Sequence, residues 1–592
     1  MRPLFASWVV AGALSACLGS PALGEAAGQS PPVITPRLAH LLATSAANSS
    51  CAVWIELAPP ASRATAVQAR SHVSPRAWER RVRRGSPAPD LGDLALDRAA
   101  VDAIRGHVTR VRAVSRWLRT VSVEATPAQI VTLGRLPGIT AIDLLATPER
   151  LHRASEPPAL AHTGEGRPVV TAPPYGDAAT QLALMHVPEL HDRGLTGLGV
   201  LVAHFDTGYE RFSHQAFRAL RVVAMRDFVD GDGDPTGAGG FLDDSGEHGS
   251  MTLSVLGGFR PGKLVGSAFG AGFALARTER TFSEDAFEED LWIAALEWAD
   301  SLGADLVSSS LKFRENDDGS GYTWENMDGR TARVSIATRF AESRGMLVLN
   351  GAGNDGASPF HNTLVAPADA EYVLAVGATN LGGERASFSS VGPTTDEPGR
   401  IKPDLMAPGD NVWAMSVAND SAYARTSGTS FSTPLAAGVA ALLLSVHDAT
   451  PQQLRTILRT TASRASTPDN QWGWGVVNAL AAYHALVAQF PTDAPTRVAS
   501  IAAPRFANPF RPRDVITTGP MGGGPCRLHV YDALGRELRT WQAAETAPVG
   551  SGWHVAWDAT DTRGQALPRG VYFVELRNAS GIAATRKLTL VR

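Results

Sequence analysis

The sequence predicts an α/β core on a doubly wound, mostly parallel sheet, with a small α+β unit before it and a β-sandwich module after it. Three observations carry this. Apolar runs at 200–205, 264–276, 304–309, 346–349 and 373–376 alternate with helical stretches at 289–302 and 333–344, as buried parallel strands and crossover helices do. Two of these runs stop at a polar turn, Asp206-Thr207-Gly208 and Gly351-Ala352-Gly353-Asn354. Beyond residue 504 the pattern changes to short alternating segments, 528–536, 553–558 and 570–576, separated by Asp, Gly and Pro.

The remaining elements follow in chain order. At 592 residues the chain is too long for one domain. Residues 1–24 read as an export signal: Arg2, an apolar stretch over 4–18, and the small-x-small site Ala22-Leu23-Gly24. Leu14-Ser15-Ala16-Cys17 also fits a bacterial lipobox, so plain cleavage and lipidation at Cys17 both stand. In 25–175, residues 51–57 alternate as a strand, 97–118 have helical character and 121–125 are strand-like. Thr126-Pro127-Ala128-Gln129 opens a helix, and Leu136-Pro137-Gly138 ends it before a strand over 139–145. The Pro-, Ala- and Gly-rich stretch 150–176 is a linker leading into the core, 176–490. The apolar helix over 433–446 is too short to span a bilayer and reads as central core. A second linker, 491–504, precedes the module at 505–592.

Composition narrows the function classes. A net charge of −4, with 19% charged and 44% hydrophobic residues, argues against a nucleic-acid or anionic-membrane partner. Arginines scattered over the N-terminal third read as a solvent-facing helix surface. Three cysteines, Cys17, Cys51 and Cys526, fall in separate segments, so no disulfide framework is expected, and Cys51 reads as a small buried residue.

The chemistry is concentrated in four motifs. Gly428-Thr429-Ser430-Phe431-Ser432-Thr433-Pro434 delivers a serine to the start of a buried helix, where backbone N–H groups and the positive dipole end favour a developing oxyanion. His248 lies in Glu247-His248-Gly249-Ser250-Met251-Thr252, Asp206 in Asp-Thr-Gly, and Asn354 closes Gly351-Ala352-Gly353-Asn354. These motifs, in the order Asp, His, Asn, Ser, resemble the subtilisin-like (S8) serine proteases over about residues 176–485. Ala386–Pro393 and Lys402–Gly409 resemble the same family's scaffold turns. The resemblance implies Ser430 as nucleophile, His248 as general base and acid, Asp206 as the residue that orients His248, and Asn354 as oxyanion donor. It also implies that Ser310, Leu311, Lys312, Gly351, Ala352 and Gly353 line the substrate edge. The family's usual Ser-Leu-Gly is Ser310-Leu311-Lys312 here, so Lys312 either narrows the pocket or points to solvent.

Further expectations follow from resemblance. Residues 25–175 are similar to inhibitor-I9-like propeptides, which implies a prosegment acting as intramolecular inhibitor until it is cut off. Asn508-Pro509-Phe510, Tyr531-Asp532, Gly535-Arg536, Trp557-Asp558 and Gly570-Val571-Tyr572-Phe573 resemble FlgD-like modules and type-A sorting domains of type IX secretion. That implies export machinery or cell-surface attachment, and a secreted or surface location. Protein or peptide substrates are expected, and no cofactor is required. The acidic stretch 227–234, with Asp243 and Asp244, leaves a structural calcium open, but its spacing fits no EF-hand and reads better as a solvated loop; no metal ligands are assigned.

Overall fold

In a computed structural model, the described residues are 33–44, 49–59, 73–86, 90–144, 147–148, 175–236, 246–280, 286–316, 320–490, 504, 506–517, 527–532, 536–542, 554–577 and 583–591. The signal, Cys17, Cys526, most of both linkers, and Asp243 and Asp244 lie outside them.

The N-terminal unit holds strands β1 (Val33–Ile34), β2 (Cys51–Leu57), β3 (Arg110–Ser115), β4 (Thr120–Ala125) and β5 (Ile139–Leu144), in the sheet order β1-β5-β2-β4-β3. Its helices are α1 (Pro36–Thr44), α2 (Pro75–Arg83), α3 (Arg98–Arg105) and α4 (Pro127–Leu133). Thr126 and Gln129 form a reciprocal capping box at α4, as the Thr-Pro-Ala-Gln sequence predicts. The helical reading of 97–118 holds only for α3. The rest is β3 and its turn, because Val111 and Val114 pair with Val123 and Val121 across an antiparallel ladder that a single stretch of sequence does not reveal.

The core strands are β6 (Leu201–Asp206), β7 (Arg221–Asp227), β8 (Gly272–Arg277), β9 (Leu306–Ser309), β10 (Leu347–Gly351), β11 (Val373–Thr379) and β12 (Leu405–Pro408). They form one seven-stranded sheet, β12-β11-β10-β9-β6-β8-β7, and every pairing is parallel. The run 264–276 is therefore two strands, with only Gly272–Arg277 in this sheet; a turn through Gly266 and Gly270 separates them.

Four helices cover the sheet: α5 (Glu247–Gly257) and α8 (Thr429–Leu444) on one face, α6 (Phe287–Leu302) and α7 (Arg333–Ser343) on the other. The alternation along β6 divides accordingly. Val202 packs with the α5/α8 core, and Leu201, Ala203 and Phe205 pack with the α6/α7 core. Helix α8 is buried nearly throughout, as its unbroken apolar sequence requires. The strand order turns back at β6, so the crevice beyond its C-terminal end is where this architecture places ligands.

Residues Arg527–Asp532, Glu537–Gln542, Gly570–Arg577 and Ala583–Leu590 form a four-stranded antiparallel sheet, and Val515–Thr517 pairs with His554–Ala556. They enclose their own core around Phe510, Trp557, Val574 and Leu588. Among the described residues, no helix is long and apolar enough to cross a membrane.

Candidate active site

Asp206 is the last residue of β6 and its side chain is fully buried. Its Oδ1 accepts the His248 Nδ1–H at 2.6 Å and the Thr207 backbone N–H at 2.9 Å, and its Oδ2 accepts the Thr252 hydroxyl at 2.8 Å. A carboxylate can only accept, so it fixes the proton on Nδ1 and leaves Nε2 of the neutral imidazole as an acceptor. Burial alone would raise the Asp206 pKa, but the charge and hydrogen bond of His248, with the Thr207 N–H, outweigh it and hold the carboxyl below its usual range. The reverse holds at His248: burial works to lower its pKa, and Asp206, with Glu247, raises it above the ordinary histidine value.

His248 is the second residue of α5, and Gly249 lets that helix approach β6 closely. A Cβ at Gly249 would stand 2.0 Å from the Gly208 carbonyl oxygen and 2.9 Å from Asp206 Cβ. The imidazole lies edge-on to Phe431 with ring centroids 6.0 Å apart, which sets it against the first turn of α8, the turn that also carries Ser430. Its side chain is 37% exposed, open to a substrate.

Ser430, half-buried, is the second residue of α8. Pro434 stands four residues later and has no N–H for the Ser430 carbonyl. The Ser310 hydroxyl donates to that carbonyl instead, at 2.8 Å. Asn354 Oδ1 accepts both the Thr429 N–H at 2.9 Å and the Thr429 hydroxyl at 3.0 Å, which turns Nδ2 outward as a donor. Asn354 Nδ2 and the Ser430 nitrogen converge beside Gly428, 3.6 and 3.7 Å from where its Cβ would stand. A base fixed by a buried carboxylate, a hydroxyl at a helix start, and two convergent N–H donors can carry out acyl transfer.

Residues 197–475 match the Subtilase family, and residues 52–158 match the Peptidase S8 propeptide domain, Bacteroidota. The chain is 32% identical to a subtilisin of Bacillus pumilus over 313 residues, covering 52% of this chain and 98% of that protein. The chain belongs to the subtilase family. Subtilisin NAT of Bacillus subtilis subsp. natto is 31% identical over 52% of this chain and 71% of its own. An alkaline protease of Shouchella clausii is 29% identical over 61% and 83%. This subtilase is a serine-type endopeptidase.

The residues expected at the substrate edge lie together at the C-terminal ends of β9 and β10, whose Ser309 and Asn350 are register partners. Leu311 is 3% exposed, its carbonyl accepting from Asn350 Nδ2 at 2.9 Å. Lys312 is exposed rather than buried in this edge. Gly351, Ala352 and Gly353 are buried and run directly into Asn354.

The acidic stretch after β7 is organised by a residue that sequence reasoning missed. Arg277, buried at the end of β8, pairs with Asp227 at 2.6 Å and Asp230 at 2.7 Å. Among the described residues, no group of three or more His, Cys, Asp or Glu is placed to hold a metal ion. Thr252 was also missed. Its only sequence signal is its place four residues after His248, which puts both on one face of α5. Cys51 is half-buried and unpaired, with burial pushing its thiol pKa up.

Proposed function

We propose that this endopeptidase cleaves peptide bonds through an acyl-enzyme formed on Ser430, with His248 as base and acid, Asp206 orienting His248, and Asn354 with the Ser430 N–H holding the oxyanion. The observation that carries the reading is the 2.6 Å bond from His248 Nδ1 to buried Asp206 at the sheet's C-terminal edge, over the turn that bears Ser430. Substrate backbone would lie along 310–312 and 351–353, with Lys312 at the open side of the pocket. The chemistry needs no cofactor, since base and oxyanion donors are supplied by the chain. Chelation with EDTA is therefore expected to leave turnover intact, and a structural calcium would show as a lowered thermal midpoint.

The prosegment would inhibit in cis until it is cut. Two features support this: residues 147–148, which leave the N-terminal sheet, pair antiparallel with Ser320–Gly321, shortly after the substrate edge; and the linker follows directly. Export through the signal at 1–24, and sorting by a C-terminal β-sandwich, complete the reading. The test is intact-mass analysis of the wild type beside Ser430→Ala. Wild type is expected to lose a domain-sized N-terminal piece of roughly 150 residues, and the variant to retain it. Identical masses for the two proteins would refute self-processing.

A further inference from the structure

We propose that the C-terminal module is docked on the catalytic domain, the outer face of its sheet seated through Phe573 on a row of aromatic rings that runs back to Tyr175 at the start of the core. This goes beyond the proteolytic reading and does not depend on the module's role in sorting.

Alternation along the strand Gly570–Arg577 divides its side chains between two faces. Tyr572, Val574 and Leu576 belong to the module's own core, and the residues between them point the other way. Val571 and Glu575 on that outer face are half-exposed, as solvent-facing positions are. Phe573 stands between them and is only 8% exposed, although it is not among the residues of the module's core. Its cross-strand neighbours do not account for this: Tyr531 is half-exposed and Lys587 is exposed. The cover comes from the catalytic domain, whose Phe259 meets the Phe573 ring edge-on with centroids 6.3 Å apart.

Phe259 opens a short antiparallel ribbon, Phe259–Arg260 with Leu264–Val265, just after α5. It stacks on Phe269 at 4.6 Å, Phe269 stands edge-on to His191 at 5.0 Å, and His191 stacks on Tyr175 at 5.8 Å. These are favourable geometries and separations for aromatic rings. His191 Nε2–H donates to the Ser267 carbonyl at 3.1 Å, which leaves Nδ1 to accept the Tyr175 hydroxyl at 3.2 Å and fixes the imidazole in the row. The ribbon also holds the first turn of the core. Gly176 bridges to Leu264, and at φ 58° a Cβ there would stand 2.6 Å from the Lys263 backbone. At the edge of the aromatic contact, Asp192 and Lys587 line one cleft, with opposite charges on opposite units. An apolar centre with a polar rim is the anatomy of an association surface.

The contact is remote from the chemistry. Phe259 follows the C-terminal end of α5 and His248 stands at its N-terminal end, roughly 16 Å away along the helix. Docking therefore leaves the active site open, and ties the module to the segment where the core begins.

The test is hydrogen–deuterium exchange on the full chain carrying Ser430→Ala. Phe573→Ala is expected to speed exchange at 259–269 and 175–191 of the catalytic domain about tenfold, and Phe259→Ala to do the same at 570–577 and 583–590 of the module. A side chain that matters only to its own unit cannot act across the boundary in this reciprocal way. Val515→Ala, at a position 44% exposed on the same module, is expected to change neither region of the catalytic domain. Should Phe573→Ala not fold, Lys587→Glu, at an exposed position, sets a like charge beside Asp192 and must still speed exchange at 259–269 relative to Val515→Ala. Effects confined to the mutated unit would overturn the proposal and leave the module freely tethered. Because the readout is not proteolysis, a failure of Ser430 as nucleophile leaves this result unaffected.

Discussion

At the residue scale, the three donors on Asp206 make its charge the feature to remove. Asp206→Asn keeps the shape but presents an amide to Nδ1, and kcat is expected to fall by about 10⁴, the loss this substitution causes in a triad protease of unrelated fold, with KM little changed. In the proposed mechanism His248 must be neutral, and the Asp206 charge raises its pKa, so the residual activity should have its acid limb at lower pH than the wild type. An unshifted limb would argue against the pairing. His204 offers a second pH prediction. It is fully buried, its Nδ1 meets the Tyr209 hydroxyl at 2.9 Å, and its Nε2 has no hydrogen-bond partner. Burial lowers its pKa from 6.5 to about 4, so the folded state binds fewer protons than the unfolded one between those values. Stability is thus intact above about 6.5 and declines as pH falls towards 4. His191, half-buried, is likewise lowered to about 4 by desolvation, and His204→Leu should remove the His204 part of this decline, flattening the thermal midpoint's dependence on pH between about 6.5 and 4. The four motif residues could be proposed from the sequence because their motifs fall in one order and each stands at the end of an apolar run or at the start of a helix. Thr252, Thr429 and Arg277 could not, because they act through neighbours distant in sequence.

At the element scale, α8 carries both the site and the core. Leu442, fully buried in the last turn of this helix, should cost about 2–5 kcal/mol on truncation to alanine, read by denaturant unfolding. Ser310→Ala removes the hydroxyl that stands in for the missing Pro434 N–H. It should cost about 1–3 kcal/mol through an unsatisfied Ser430 carbonyl, and lower kcat by disturbing the first turn. Loss of stability without loss of rate would confine Ser310 to a packing role. The strand at 200–205 and the helices at 289–302 and 333–344 were legible because they are long, apolar and bounded by breakers. The hairpin after α3 was not, since its alternating Arg and Val residues gain meaning only from the strand opposite. The strand β7 was likewise unseen: its short apolar run, Val222 to Met225, stands between Arg221 and Arg226 and is half exposed, unlike the buried strands beside it.

At the scale of the whole molecule, composition shifts and linkers point to three units, but how the first sits on the second was not legible in the sequence. Scattered arginines look the same in sequence whether they face water or, as Arg80, Arg81 and Arg84 of the first unit do, lie buried against Asp300 and Asp305 of the second. If the C-terminal module serves sorting alone, deleting 505–592 should leave kcat/KM on a peptide substrate unchanged and abolish surface or extracellular accumulation. Retained accumulation would remove the sorting role. The most direct test of the central claim is to incubate the processed protein with a fluorophosphonate and locate the adduct by peptide mass spectrometry. One adduct per molecule, on Ser430, and none in His248→Ala, is the predicted result. An adduct elsewhere, or none on Ser430 in an otherwise folded protein, would contradict the assignment of Ser430 as the nucleophile.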